Sequence, residues 1–343
     1  MGDARSIFSP DPLRGRACWW AGVIGLKSAL DIRPAPADLE RYRHGAEHAV
    51  ASALRLHAVL WTIVALNVAL WLSAPLGVCV AAAVVSIPLI GWCQHSLFNG
   101  NHEAIHNNFG RPQNETLAAS LTAYPVGFGL TGYRRIHFAH HKHFGDPQLD
   151  PDFAGYTPYP RSKVQFFGRI AWNATGLPAL LQFLRRGGAV QAAEPARGFP
   201  VETASIVVAQ LIILTPLVVS LGPVRGVIFY IGFWMAPLAC VAKVLAGLRV
   251  FCEHASPDPS VRVVRTITGR PWETATLGMF AFNYHGDHHT YSWVPCASLP
   301  ALHGMLSAEP ASVGKGWRYE VFQGGYLAFL AQTVRELPWR AAR

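Results

Sequence analysis

The stretch Arg134-Arg-Ile-His137-Phe-Ala-His140-His141-Lys-His143 sets the interpretation of this chain. Three of its imidazoles, His137, His140 and His141, stand at positions i, i+3 and i+4. On an α-helix this spacing places the three side chains on one face. Imidazole binds iron, zinc, copper and nickel well, so the stretch predicts half of a metal site. Taken alone, it is equally compatible with a solvated basic turn that binds nothing.

Two further histidine groups favour metal binding. His285, His288 and His289 repeat the i, i+3, i+4 spacing about 150 residues downstream. His102 and His106 form an i, i+4 pair upstream, so eight of the chain's 15 histidines fall into three groups. One tetrahedral zinc ion takes four ligands, fewer than these groups supply. The pattern therefore predicts a centre of two metal ions held by histidine.

The composition indicates an integral membrane protein. Of the 343 residues, 51% are hydrophobic and only 14% are charged, which is unusual for a soluble domain. The net charge of +9 fits a membrane protein with basic cytoplasmic loops, and no nucleic-acid-binding signature accompanies it. The six cysteines include no C-x-x-C pair, so neither a disulfide framework nor a zinc ribbon is expected. Met1 to Pro10 lacks the apolar core of a cleavable signal peptide.

Four apolar segments are long enough to cross a hydrocarbon core of about 30 Å. They are residues 54–73, 78–98, 203–221 and 224–248. Tight turns at residues 74–77 and 222–223 join them into two hairpins. Residues 117–131 are apolar but short and interrupted by proline and glycine, which predicts a re-entrant or buried segment. Residues 164–184 alternate apolar and polar faces, which predicts a helix lying along the membrane surface.

The distribution of lysine and arginine predicts the orientation. Both termini and both large loops lie on one side of the four spans and are basic, whereas the turns on the far side carry only Arg225. By the positive-inside rule the basic side is cytoplasmic, at the inner membrane if the protein is bacterial. All three histidine groups then lie on that face.

The predicted fold class is an all-α integral membrane protein. Four transmembrane helices carry a cytoplasmic helical cap that holds the histidine-rich dimetal site. The chain divides into an N-terminal cytoplasmic or interfacial segment at 1–53, a membrane domain at 54–303 and a C-terminal cytoplasmic tail at 304–343.

The rise of an α-helix predicts one more ligand. If the second and fourth spans continue as helices beyond Phe98 and Leu248, His102 lies about 6 Å and His254 about 9 Å above the hydrocarbon edge. His254 therefore reaches the height of the other histidines, although it could instead cap a helix near Pro257. The predicted metal ligands are His102, His106, His137, His140, His141, His254, His285, His288 and His289.

Neighbouring polar residues are candidates to support these ligands, because a metal-bound histidine usually donates its other ring N–H to a carboxylate or carbonyl. The acidic candidates are Glu103, Asp146, Asp150, Asp152, Glu253 and Asp287. Asn283, two residues before His285, is a candidate to hold a metal-bound water. No site role is expected for the remaining histidines, His44, His48, His57, His95, His143 and His303.

Two other classes of protein match parts of the pattern. A membrane metal transporter would place ionisable groups inside its spans, yet these spans contain almost none apart from Lys243. A zinc hydrolase would use three ligands and a catalytic glutamate, and His102-Glu-Ala-Ile-His106 matches the H-E-x-x-H pattern. A hydrolase leaves both downstream triplets unexplained, so the dimetal interpretation ranks above it.

The order and spacing of the three histidine groups resemble those of the membrane fatty acid desaturase superfamily. Similar runs are Asp146-Pro…Asp150-Pro-Asp152, Val294-Pro…Leu299-Pro-x-Leu-His303 and Arg249-x-x-x-Glu253-His254. The resemblance covers roughly residues 54–303. One departure concerns Asp287, since the resembling branches often have glutamate there, and the shorter side chain alters the geometry around the third group. The third group begins with His285 rather than glutamine, which argues against front-end desaturases.

The resemblance implies a non-haem centre of two Fe ions that uses O₂ and two electrons to attack an unactivated C–H bond. The expected reaction introduces a C=C bond into a fatty acyl or lipid-like substrate, with hydroxylation by a related diiron oxygenase as the alternative. No catalytic residue beyond the metal ligands is implied. A His-Pro-Gly-Gly haem motif is missing, so a separate ferredoxin, rubredoxin or cytochrome would supply electrons. The basic loops would attract such an acidic partner or anionic lipid headgroups.

Overall fold

The computed structural model describes residues 39–110, 114–181, 199–308 and 316–341, and these are mostly helical. The helices are α1 (Glu47–Ser73), α2 (Leu76–Ile105), α3 (Glu115–Ala118), α4 (Leu130–His143), α5 (Phe153–Tyr156), α6 (Lys163–Ala174), α7 (Phe199–Leu221), α8 (Pro223–Tyr230), α9 (Lys243–His254), α10 (Pro271–Thr276), α11 (His285–Thr290), α12 (Leu299–Ala308) and α13 (Gly325–Glu336). The strands are β1 (Val263–Thr268) and β2 (Arg318–Gln323). π-Helical turns occupy Ala119–Ala123, Ile231–Met235 and Pro237–Ala242, and 3₁₀ turns occupy Tyr124–Val126, Met279–Tyr284 and Cys296–Ser298.

The four predicted membrane segments are confirmed as helices that are long and apolar enough to cross a bilayer. They are α1, α2, the Val201–Leu221 part of α7, and the continuous helix Pro223–His254, in which π-helical turns join α8 to α9. Large apolar side chains such as Val84 and Val219 point outward from them, as expected in lipid. Two helices run beyond the predicted spans, so that α2 contains His102 and α9 ends at His254.

The apolar segment at residues 117–131 does not form a spanning helix. It folds as α3 and the two short turns that follow it, and most of its side chains face other helices. Its irregular backbone leaves carbonyls that membrane-embedded side chains satisfy. Gln210 Nε2 donates to the carbonyl of Tyr124 at 2.8 Å, and Trp234 Nε1 donates to that of Pro125 at 3.2 Å.

The cap is formed by the described residues of 130–181 and 255–341, and it contains a second apolar core. Phe251, at the end of the fourth membrane helix, packs against Phe166 of α6 and Phe329 of α13. Helix α6 begins at an N-cap, Ser162, whose hydroxyl accepts the N–H of Gln165. The core ties the cap to the end of α9, and so holds the cap above the membrane helices.

The cap also contains a small sheet, which the all-α prediction missed. Strands β1 and β2 pair in parallel, from Val263 opposite Arg318 to Thr268 opposite Gln323. A buried ion pair between Arg265 Nε and Glu320 Oε2, at 2.7 Å, joins the strands. In the sequence the only signal for β1 is a short β-branched run, and the strand that completes it lies 55 residues away.

A close contact between α2 and the fourth membrane helix predicts the effect of a small substitution. A Cβ atom added at Gly91 would lie 2.4 Å from Val241 Cβ and 2.9 Å from the Pro237 carbonyl oxygen. Gly91→Ala should therefore push the helices apart and destabilise the protein by roughly 1–3 kcal/mol. Thermal unfolding in detergent would measure this loss. Gly77→Ala, on the same helix, meets nothing within 4 Å and should leave the melting temperature unchanged or raised.

Candidate metal centre

Helix ends from four parts of the chain bring the predicted ligands together. Helix α2 carries His102 in its last turn and is followed at once by His106. Helix α4 carries the triplet at 137, 140 and 141, and α11 carries the triplet at 285, 288 and 289. His254 is the last residue of α9. Because α4 and α11 are helical over their triplets, the i, i+3, i+4 spacing does place each set on one face.

The nine histidines form two adjacent groups, and within each group the nearest ring nitrogens all lie within 4.8 Å of one another. The first group is His102, His106, His137, His141 and His288. The second group is His140, His254, His285 and His289. The groups touch where the rings of His141 and His289 stack with centroids 4.1 Å apart. Each histidine triplet contributes to both groups, so neither group is the product of a single sequence motif.

The ring nitrogens of these groups fit metal ions better than they fit each other. Several of them are buried without a hydrogen-bond partner in the described part of the chain, including both nitrogens of His102 and both of His288. Others face a neighbouring ring nitrogen, as His285 Nε2 does, 2.9 Å from His254 Nε2 and 3.0 Å from His289 Nε2. Buried polar atoms are normally satisfied. A cation at each of the two meeting points would satisfy one nitrogen of each ring.

Burial keeps these imidazoles in the neutral form that binds metal. For the groups beyond the membrane helices, burial lowers the pKa of His106 to about 3. It also holds the pKa values of His137, His285, His288 and His289 well below the ordinary value, and neighbouring imidazoles add to the effect. A cationic imidazole cannot donate a lone pair to a metal, so the depressed pKa favours metal binding.

The predicted carboxylates nearest to group histidines are Asp150, Glu253 and Glu103, of which Glu103 Oε1 lies 3.5 Å from His102 Nδ1. Asp150 Oδ1 lies 2.8 Å from His140 Nδ1, which assigns the ring's other nitrogen, Nε2, to the meeting point. Burial raises the pKa of the Asp150 carboxyl, but hydrogen bonds from His140 and Tyr156 outweigh burial and bring that pKa below its ordinary value. Glu253 Oε2 lies 3.8 Å from His285 Nε2 and 2.6 Å from Arg249 Nη1. The Arg249 guanidinium therefore balances the negative charge of Glu253 beside the second group.

Glu103 and the other polar candidates also have contacts away from the histidines. Glu103 accepts the backbone N–H of Cys296 at 2.9 Å, and Asp146 accepts two N–H groups of its own turn. The Asn283 amide donates to the Ile267 carbonyl, while its buried Oδ1 has no hydrogen-bond partner among the described residues. Asp152 lies 3.9 Å from His140, outside hydrogen-bond distance. Of these candidates, Asn283 alone keeps a buried acceptor free at the site.

Comparison with known families agrees with this geometry. A family model described as fatty acid desaturase matches residues 80–320, more than half of the chain. The chain belongs to the fatty acid desaturase family. No curated protein matches it. The match begins in α2 and ends in the middle of β2, so it contains all nine histidines and all of β1.

In this member of the desaturase family, Asp287 joins α11 to the sheet. Its carboxylate accepts hydrogen bonds from Thr266 Oγ1 at 2.7 Å and from Tyr319 Oη at 2.9 Å, and His303 Nδ1 lies 3.0 Å away. The sequence did not point to Thr266 or Tyr319, since neither belongs to a motif. His303 was expected to have no site role, but it contacts Asp287, which lies between His285 and His288.

Aromatic side chains around the desaturase histidines were also missed. The ring of Phe282 lies over the guanidinium of Arg249 at 3.7 Å and stacks on His285. Phe144 contacts His254 and His289 from the cap, with centroids 4.8 and 5.7 Å away. These rings keep water from the groups and hold the imidazole planes. In the sequence, the one signal for these aromatic residues was their position next to the histidine motifs.

Other histidines lie outside the two groups. His57 Nε2 is 2.7 Å from the Leu121 carbonyl oxygen, where it pins the irregular segment to α1. His95 lies two turns before His102 in α2 and is 3.5 Å from Asn99 Nδ2. His44 and His48 are exposed, as predicted for surface residues.

The lowered histidine pKa values predict how acid destabilises the metal-free protein. Below pH about 6.5 the unfolded chain binds protons at these imidazoles while the folded chain does not, so stability falls as the pH falls toward the folded values, near 3 for His106. Each pH unit in that window should cost up to about 1.4 kcal/mol per histidine. Melting temperatures of chelator-treated protein at several pH values would measure the slope.

Two variants test whether this dependence of stability on pH arises from the histidine groups. His288→Gln removes one buried imidazole and should make the slope shallower, whereas His48→Gln changes an exposed one and should leave it unaltered. A metal-free protein whose stability is constant from neutral pH to about pH 5 would contradict the assignment of these groups as buried and neutral.

Proposed function

We propose that this protein is an O₂-dependent diiron desaturase that introduces a C=C bond into a fatty acyl or lipid-like substrate. The observation that carries the proposal is the pair of adjacent groups of imidazoles, one of five and one of four, of which all but His141 are buried. An all-nitrogen set of this size suits two transition-metal ions with open positions better than one tetrahedral zinc. Family membership favours iron among the possible metals.

The reaction balances with two electrons. A –CH₂–CH₂– unit, O₂, two electrons and two protons give –CH=CH– and two molecules of water. Bound iron would supply the activation of O₂ for removal of the two hydrogens. The nine histidines would hold the iron, and the remaining task of the chain is to orient them and exclude water.

The residues around the groups have that task. Asp150 fixes the ring orientation of His140, and the N–H of Gly145 and the hydroxyl of Tyr156 in turn fix Asp150. Such supporting carboxylates make imidazole a better metal ligand. Phe282 and Phe144 close the site against solvent.

The proposal includes a cytoplasmic location of the site and an external electron donor. The loops beside the histidine groups are rich in arginine and lysine, and the far-side turns carry only Arg225. A soluble ferredoxin, rubredoxin or cytochrome would then reach the site directly. At the inner face of the membrane the substrate chain could enter from the lipid.

Removing one histidine from either group should abolish turnover. His140→Ala removes a ligand from the second group and His288→Ala one from the first. Each variant should retain at most about one iron instead of about two, because a metal site that loses one of its direct ligands binds its ion far more weakly. Metal analysis of protein purified in detergent, together with product formation, would measure both effects.

The control for these variants is His48→Ala, an exposed imidazole on α1. It should keep full iron content and activity, and all three variants should insert into the membrane normally. Stoichiometric zinc in the unmodified protein, or turnover retained by His288→Ala, would contradict the diiron proposal.

The products formed under ¹⁸O₂ separate desaturation from hydroxylation. A desaturase should give a product two mass units lighter than its substrate, with the label found only in water. A hydroxylase sharing the same site would instead incorporate one labelled oxygen atom into the product. Mass spectrometry of lipids from cells that express the protein, compared with the His140→Ala variant, would decide between them.

A further inference from the structure

A surface pocket of about 480 Å³ opens directly beside the histidine groups. It lies between the end of α4 and the residues that precede the two strands. Its lining residues are His141, Lys142, His143, Phe144, Asp146, Arg262 and Trp317. His141, itself a member of the first group, is only partly buried and forms part of the wall. The pocket is therefore separated from the candidate metal centre only by the side chains of its own wall.

The floor of the pocket is made of packed rings. Trp317 contacts the ring of His289 edge-on, with centroids 6.1 Å apart. Phe144 contacts His140, His254 and His289, with centroids between 4.8 and 5.7 Å away. These rings are almost completely buried. Electrons need only a short contact path, and the rings provide one to the second histidine group, whose His289 stacks on His141 of the first group.

The rim of the pocket is basic. Lys142 and Arg262 are exposed. Arg262 is held in place because it lies against Gly145 and donates to the Phe144 carbonyl at 3.2 Å. The one carboxylate of the lining, Asp146, already accepts the N–H groups of Gln148 and Leu149. The pocket thus presents the cations Lys142 and Arg262 to the solvent, and the Asp146 carboxylate offsets part of the charge of Arg262.

We propose that this pocket is the docking site of the electron donor, a small acidic one-electron carrier, and that Trp317 is the point of electron entry. The inference rests on the proposed diiron function. Each docking event oxidises one donor by one electron, so two successive events supply the two electrons of the reaction. Charge complementarity of this kind mainly accelerates encounter and makes it dependent on salt. An anionic substrate headgroup is the competing occupant of the same cations.

The test measures binding, which does not depend on turnover. The protein in nanodiscs is immobilised, and an acidic [2Fe–2S] ferredoxin is passed over it. Affinity should rise about tenfold or more from about 0.5 M to about 0.05 M salt. The charge reversal Lys142→Glu with Arg262→Glu should weaken binding by about tenfold and flatten the salt dependence. The matched control, Arg161→Glu with Arg335→Glu, moves the same charge elsewhere on the cap and should leave binding unchanged.

A milder pair, Lys142→Gln with Arg262→Gln, serves if the charge reversal disturbs folding, and should weaken binding in the same direction. Trp317→Leu should leave ferredoxin affinity nearly unchanged but slow electron transfer from prereduced ferredoxin about tenfold or more. Unchanged affinity in both cation pairs, an equal loss in the control pair, or an unchanged transfer rate in Trp317→Leu would overturn the proposal.

A further measurement tests whether the pocket binds the electron donor or an anionic substrate headgroup. An acyl-CoA whose affinity falls in the cation variants, while ferredoxin affinity does not, would assign the pocket to an anionic headgroup and overturn the inference. Iron analysis of the same preparations reports independently on the diiron function. Loss of iron with normal ferredoxin binding would refute the function while the binding result stands, and two irons with no ferredoxin binding would refute only the docking site.

Discussion

Neutral imidazole nitrogens that meet in a water-excluding core are the constraint on which the rest of this structure depends. Seven ring nitrogens in the two groups are buried without a hydrogen-bond partner among the described residues. Each such atom destabilises the folded protein by roughly 1–3 kcal/mol. Together the seven atoms would cost about as much as the net stability of an ordinary domain, which is roughly 5–15 kcal/mol. Cations at the two meeting points would satisfy one nitrogen of each ring, and this would remove a large part of that cost.

This constraint explains why two membrane helices extend beyond the bilayer. A span alone needs about 20 apolar residues, yet α2 has 30 residues and the helix ending at His254 has 32. The additional turns are not lipid-facing, since the side chains from Gln94 to Ile105 are nearly all buried. The membrane helices thus serve as rigid supports that fix the height of His102 and His254, and the cap brings the triplets down to them.

The part of the site that could be predicted follows from local periodicity. The spacing of His137, His140 and His141 determines a face on any helix, and the rise per residue determines the height of His254, so neither needs knowledge of the tertiary fold. Partners that are distant in sequence were not predictable in this way. Tyr319 reaches Asp287 only because β2 pairs with β1, and the six-residue strand β1 becomes stable only with that partner. Trp317 is brought to His289 by the same pairing.

The sequence Gly286-Asp287 within the third histidine triplet fits closely against this sheet. A Cβ at position 286 would lie 2.6 Å from the ring of Tyr319 and 3.0 Å from the hydroxyl oxygen of Thr266. Glycine therefore lets both strands approach α11 more closely than any other residue would. At that distance a short carboxylate at 287 suffices to reach Thr266 and Tyr319, and a glutamate would have to fold back or push the strands away. The two residues act as one adaptation, in which close packing of the sheet replaces the reach of the longer side chain.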